Sequence, residues 1–211
     1  MGDDAVGGQN IGKLLIVNGS PRAPKSNSKK YIEMFQRHWG QESEVYPVTS
    51  GEHECICREI GKYDELLLAF PLYVDALPVP LMDFLKELAH TGLSPELRVH
   101  VMVNCGFLEP EQNRMAVEII RCFCEANRVS YGMTLCIGSG EAILNTPFVS
   151  FVDKKMKKFA SGMTAGRTDT LKVSMPLPKR LFIRASTGYW KAYGEKYHAG
   201  VEEMNSDKIE E

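Results

Sequence analysis

The chain has 211 residues, 44% of them hydrophobic and 25% charged, with a formal net charge of −2. That length carries a core without disulfides or metals, and that charge excludes a nucleic-acid partner, which needs a strong basic stripe. No stretch approaches the ~20 apolar residues of a membrane span, so no membrane partner is expected.

Residues 1–12 open on an acidic, glycine-rich run and read as a disordered lead or an expression remnant, not as a signal peptide. Residues 13–18 form a short apolar strand that stops at Gly19-Ser20-Pro21. A polar loop follows to Ser26. Residues 27–38 have helical spacing, with Ile32 and Phe35 on one face and Tyr31 beside them. Residues 44–48 read as a second strand and 53–61 as a short helix. Residues 65–70, Glu-Leu-Leu-Leu-Ala-Phe, are the nearly continuous apolar run of a strand covered on both faces.

Residues 78–90 follow as a helix, with Pro80 in the first turn, where a missing N–H costs nothing, and Leu81, Phe84, Leu85 and Leu88 inward. Residues 98–103 are the next strand. Residues 111–127 are strongly periodic, which points Met115, Ile119, Ile120 and Phe123 inward. Residues 131–137 make a fifth strand, ended by Gly138-Ser139-Gly140, and 148–160 a last core helix.

Strand and helix alternate five times, with crossovers long enough for parallel pairing. The pattern predicts one α/β domain over residues 13–160, a three-layer sandwich around a five-stranded parallel sheet of order 2-1-3-4-5. Ligands bind such sheets outside the carboxyl ends of the strands, which directs attention to the loops after strands one, three and four. Residues 161–211 form a C-terminal extension. Within it, 172–178 reads as a strand or an extended arm. Residues 179–197 carry Leu181, Phe182, Ile183, Tyr189, Trp190 and Tyr193, too apolar for a free tail. They are expected to pack on the domain or on a second subunit, as a homodimer. The acidic last residues are expected to fray.

The six cysteines, Cys55, Cys57, Cys105, Cys122, Cys124 and Cys136, show no C-x-x-C spacing. They read as buried or inert thiols and suit a reducing cytosol, so the expected compartment is cytoplasmic. No metal site is expected.

Three loops carry the chemistry. The first runs from Gly19 to Ser28, between a buried strand and a helix start, where unpaired N–H groups and partial positive charge favour an anion. Ser20, Ser26, Asn27 and Ser28 add short donors, and Arg22, with Lys25 behind it, adds formal charge. The loop suits a terminal phosphate. It lacks the glycine-lysine ending of a P-loop and the spacing of a dinucleotide fingerprint. It also reads as a plain turn with an Asn or Ser N-cap.

The second loop, Pro71 to Pro78, places Leu72 and Tyr73 where a flat aromatic ligand could lie, or where Tyr73 is simply core; Asp75 reads as an N-cap. The third, Asn104 to Asn113, combines Gly106, which permits close backbone approach, with Phe107 as a stacking face. Glu109, Gln112 and Asn113 also suit capping. Cys105 has no base near it in sequence, so no catalytic residue is nominated.

Gly19-Ser20-Pro21-Arg22 with Ser26-Asn27-Ser28, then Pro71-Leu72-Tyr73-Val74-Asp75-Ala76-Leu77-Pro78, then Asn104-Cys105-Gly106-Phe107 resemble the flavodoxin-like NAD(P)H-dependent FMN oxidoreductases, the bacterial branch with a Ser-Pro-Arg phosphate loop. The resemblance covers about residues 13 to 145. It implies a flavodoxin-like fold, FMN as cofactor and NAD(P)H as reductant. It further implies that Ser20, Arg22, Ser26, Asn27 and Ser28 hold the phosphate. Pro71, Leu72, Tyr73 and Val74, with Asn104, Gly106 and Phe107, would border the flavin ring. The partner would be a small-molecule acceptor such as a quinone, a flavin, or a nitro or azo compound. A flavodoxin-type electron carrier is the alternative reading. Carriers are commonly acidic for docking, and this chain is close to neutral.

Overall fold

The structure, a computed structural model, describes residues 12–23 and 25–204. The lead assigned to the first residues, Gly12 apart, and the fraying end at 205–211 lie outside them. The chain divides into two compact units, Met1–Met175 and Pro176–Glu211.

In the first unit the elements are β1 (Leu14–Asn18), α1 (Asn27–Trp39), β2 (Ser43–Pro47), α2 (His53–Arg58), β3 (Glu65–Pro71), α3 (Val79–His90), β4 (Arg98–Asn104), α4 (Arg114–Ala126), β5 (Ser130–Ile137), α5 (Val149–Thr164) and β6 (Thr170–Val173). The sheet has six strands in the order β2-β1-β3-β4-β5-β6. Every ladder is parallel.

The five-strand expectation is therefore corrected. β6 adds a sixth strand beside β5, pairing Thr134 with Thr170 through Ile137 with Val173. Without it, β5 would end the sheet with a row of unpaired backbone groups. β6 is only Thr-Leu-Lys-Val, with one buried residue, so it carries no apolar run to read.

The strands alternate their side chains between two faces. Leu15, Val17, Leu66, Leu68, Phe70, Val101 and Val103 join the cluster that α2, α3 and α4 cover. The opposite face is covered by α1 and α5, where Phe35 meets Phe159 edge-on at 5.8 Å. Phe35 is fully buried, and truncating such a ring costs about 3–5 kcal/mol. The stripe read for α3, Leu81, Phe84, Leu85 and Leu88, is the buried one.

The stripe read for α4 is corrected in part: Ile120 is buried and Phe123 packs against the core as expected, but Met115 and Ile119 do not. Ala116, Val117, Ile120 and Cys124 face the sheet, while Met115 and Ile119 are 53% and 39% exposed. A single turn of tighter helix at Pro110–Asn113 delays the start of α4 to Arg114. Small Ala116 and Cys124 then let the helix sit close to the strands.

Burial pushes the thiols of Cys57, Cys124 and Cys136 up to about 12. Cys55 and Cys122 are exposed.

The second unit holds α6 (Lys179–Lys196) and the short α7 (Val201–Met204). Gly194 is the buried residue of α6. It lies against Ala199 and Met204, so α7 folds back on α6 where no side chain intervenes. Among the described residues no helix is long and apolar enough to cross a membrane.

Candidate functional site

Strand order fixes where a site can form. β1 has β2 on one side and β3 on the other, so the chain reverses its winding direction there. Outside the carboxyl ends of β1, β3 and β4, a cavity of about 190 Å³ opens. That is several times the ~30 Å³ that one water occupies in the liquid.

The cavity is lined by Ser20, Arg22, Lys25, Ser26, Asn27, Ser28, Pro71, Tyr73, Asn104 and Glu141. Three loops far apart in sequence thus meet in one place. Of the residues singled out by sequence, Ser20, Arg22, Ser26, Asn27, Ser28, Pro71, Tyr73 and Asn104 are brought together on this wall.

The first loop is held by its own side chains. Asn18 Oδ1 accepts the Ser20 N–H at 3.2 Å, and Ser20 Oγ accepts the Arg22 N–H at 3.3 Å. Gly19 sits so close to Phe70 and Leu81 that a Cβ would stand 2.9 Å and 2.8 Å from them. These contacts fold the loop back without filling the cavity.

Ser26 is the N-cap of α1 and accepts the Lys29 N–H at 3.2 Å. Its hydroxyl is committed to the helix. The Ser28 hydroxyl is committed too, donating to Asn104 Oδ1 at 3.2 Å. What the helix start offers a ligand is therefore backbone. The N–H groups of Asn27 and Ser28 have no acceptor within their own helix.

The first turn of α1 contains no acidic residue, so nothing there offsets its positive end. Arg22 and Lys25 are exposed beside it. Among the described residues neither forms an ion pair. Two cations, a helix N-terminus and short polar groups are a donor set that suits an anionic ester.

The second loop is a tight turn. Tyr73 and Ala76 exchange two backbone hydrogen bonds, of 3.1 Å and 2.9 Å. Between them Val74 and Asp75 both take positive φ, 48° and 58°, the geometry of a type I′ turn. Asp75 is thus a turn residue; Pro78, not Asp75, stands at the N-cap position of α3, with no side-chain hydrogen bond to the helix. Val74 is 98% exposed at the tip and Leu72 packs against the core, so neither lines the cavity. Tyr73, 40% exposed, offers its ring to it.

The third loop contributes Asn104. Gly106 and Phe107 are exposed outside the cavity. The Phe107 carbonyl accepts the Ser139 N–H at 2.5 Å. Asn113 is buried and spends its amide on Pro110 O at 3.0 Å and Cys105 Sγ at 3.5 Å, rather than capping α4. Burial is the main influence on the Cys105 thiol and pushes it up. It remains protonated at neutral pH, a poor nucleophile.

Glu141 is the lining residue that sequence reading passed over. It follows Gly138-Ser139-Gly140, the turn that ends β5. The signal was available, since the carboxyl end of β5 opens on the same edge as the other loops. Ser139 takes φ 52°, and the Gly140 carbonyl accepts the hydroxyl of buried Tyr31 at 2.5 Å. A Cβ on Gly140 would stand 3.0 Å from Asn104 Cβ and 3.1 Å from the Cys105 carbonyl. Only glycine lets this turn close against the third loop.

No protein-family model matches the sequence, and no curated protein matches it. Solved structures do. An FMN-dependent NADH-azoreductase from Bacillus anthracis str. Ames Ancestor, in complex with FMN, aligns with a TM-score of 0.58 at 12% identity, over 72% of this chain and 99% of that one. An NAD(P)H:quinone oxidoreductase from Methanothermobacter marburgensis aligns at 0.56 and 16% identity, over 72% and 96%. A flavodoxin from Streptococcus pneumonia TIGR4 aligns at 0.55 and 18% identity, over 72% and 98%. The likeness shows a flavodoxin-like fold.

Proposed function

We propose that this protein is an FMN-dependent NAD(P)H oxidoreductase that passes electrons from a reduced nicotinamide to a small acceptor of the quinone, flavin, nitro or azo type. The observation that carries the reading is the convergence of an anion-suited helix start with the Tyr73 and Asn104 loops on one cavity. Phosphate, ribityl chain and ring need just such a series of cationic, polar and aromatic walls. The names of the structural neighbours support the same chemistry.

In this reading Arg22 and Lys25 neutralise the phosphate, and the N–H groups of Asn27 and Ser28 bond its oxygens. Ser20 and Ser26 shape the rim through the hydrogen bonds they already make. Pro71, Tyr73 and Asn104 border the ring. Glu141 adds a carboxylate to the same wall and favours hydroxyl donors over a second anion there. FMN, when bound, would supply the redox chemistry, the passage of an electron pair from nicotinamide to acceptor. The polypeptide positions both substrates in turn on one site, so ping-pong kinetics follow.

A flavodoxin-type carrier is the second reading, favoured by the flavodoxin among the neighbours. A net charge of −2 gives such a carrier little steering toward basic partners. The deciding experiment is the visible spectrum of freshly purified protein before and after anaerobic NADH or NADPH. A yellow protein bleached by the nicotinamide supports the reductase. A yellow protein that ignores both nicotinamides belongs to the carrier reading, and a colourless one whose melting temperature FMN does not raise refutes both.

A further inference from the structure

We propose that α6 is a surface anchor that lies along an anionic lipid bilayer. Eighteen residues long, the helix buries only Gly194. Three of its five cations and its aromatic side chains fall on opposite sides. Arg180, Arg184 and Lys191, at i, i+4 and i+11, share one face. Phe182, Tyr189 and Tyr193, at i, i+7 and i+11, share the opposite one, with Trp190 and Tyr197 beside them.

The aromatic face is continuous. Ring centroids of Tyr189 and Trp190 are 5.2 Å apart, of Trp190 and Tyr193 5.8 Å, and of Tyr193 and Tyr197 5.0 Å. Trp190 is 48% exposed and Tyr197 61%. Tyr and Trp suit a boundary that is apolar below and wet above, because each ring ends in a polar group.

Charge selects the occupant. α6 carries Lys179, Arg180, Arg184, Lys191 and Lys196 against a single acid, Glu195, in a chain whose net charge is −2. The helix is positive and the rest of the chain is negative. An anionic surface attracts such a helix. A second copy of the chain would cover the aromatics but would leave the cationic face without a role. An aromatic face backed by Lys and Arg is the pattern of helices that lie in the plane of a bilayer. The expectation of no membrane partner rested on the lack of a spanning segment, which a helix lying on the surface does not require.

The test uses the full chain with phosphatidylcholine vesicles, with and without phosphatidylglycerol. Binding read by co-sedimentation should favour the anionic vesicles by on the order of tenfold or more and fall as salt rises. Trp190 emission should shift to the blue on binding; the chain's other tryptophan, Trp39, is already buried and serves as background. Trp190→Ser with Tyr193→Ser should abolish binding, and Arg180→Glu with Arg184→Glu and Lys191→Glu should remove the lipid preference. Both sets should leave the melting temperature unchanged, which keeps loss of binding distinct from loss of fold. No binding to either vesicle, or equal binding to both, overturns the proposal. So does a dimer in sedimentation that Trp190→Ser with Tyr193→Ser dissociates, since the face then belongs to a second copy. None of these outcomes depends on a bound flavin.

Discussion

Ser28 Oγ donates to Asn104 Oδ1 at 3.2 Å, joining the start of α1 to the end of β4 across 76 residues of chain. Both side chains are largely buried at the wall of the cavity, so removing one takes from the other a hydrogen bond that only cavity water can replace. Ser28→Ala should lower stability by about 1–3 kcal/mol. Ser28→Ala combined with Asn104→Ala should cost less than the two separate losses added. Urea titrations of the four proteins measure the coupling.

Arg22 meets only the charged end of the proposed ligand. Arg22→Ala should weaken FMN by roughly tenfold or more, the worth of a charge-assisted hydrogen bond, and leave riboflavin almost unaffected. Fluorescence titration of the apoprotein with both ligands checks it. Equal losses would refute the phosphate assignment.

Val74 and Asp75 hold φ of 48° and 58° in a turn that prefers Asn-Gly. A β-branched residue pays most for that conformation. Val74→Asn with Asp75→Gly should raise stability by about 1–2 kcal/mol. The rise in thermal midpoint is the readout, and a fall would mean that the turn is not strained as its dihedrals indicate.

His100 ties stability to pH. Its Nδ1 accepts the Met133 N–H at 2.8 Å and its Nε2 donates to Glu65 at 2.6 Å. Protonating Nδ1 would set two N–H groups against each other. Burial lowers the pKa of this histidine. The unfolded chain therefore binds the proton first as pH falls below about 6.5. Stability from this group is complete above that value and declines below it, toward the folded pKa, by at most ~1.4 kcal/mol per pH unit. His100→Gln should flatten that part of the profile. Denaturation midpoints at about pH 5.5 and about pH 7.5 would show it.

Thiol chemistry should divide the cysteines. Cys55 and Cys122 are exposed, while Cys57, Cys105, Cys124 and Cys136 are buried with thiols raised by burial. A chromogenic disulfide should react rapidly with two thiols in the native protein and with all six only after unfolding.

Much of this architecture was legible along the chain. Apolar runs such as residues 65–70 declare a strand buried on both faces, and the spacing of Leu81, Phe84, Leu85 and Leu88 declares a helix and its inner stripe. β6 was legible only as a possible strand or arm at 172–178, because four residues at a sheet edge need no apolar pattern to pair. Half of the α4 stripe, Met115 and Ile119, was misread because periodicity gives the period and not the phase.

The sequence by itself determined the alternation of strands and helices, hence a parallel sheet with loops gathered at one edge. It also placed the polar and cationic residues of the first loop before a helix, since local chemistry at a helix start depends only on neighbours in the chain. Tertiary structure decided which hydroxyls are spent on the protein itself, as with Ser26 and Ser28, and brought Glu141 to the cavity wall. It also turned Val74 out of that wall. Those outcomes depend on contacts between residues tens of positions apart, and no local pattern of residue types encodes which distant partner a side chain will meet.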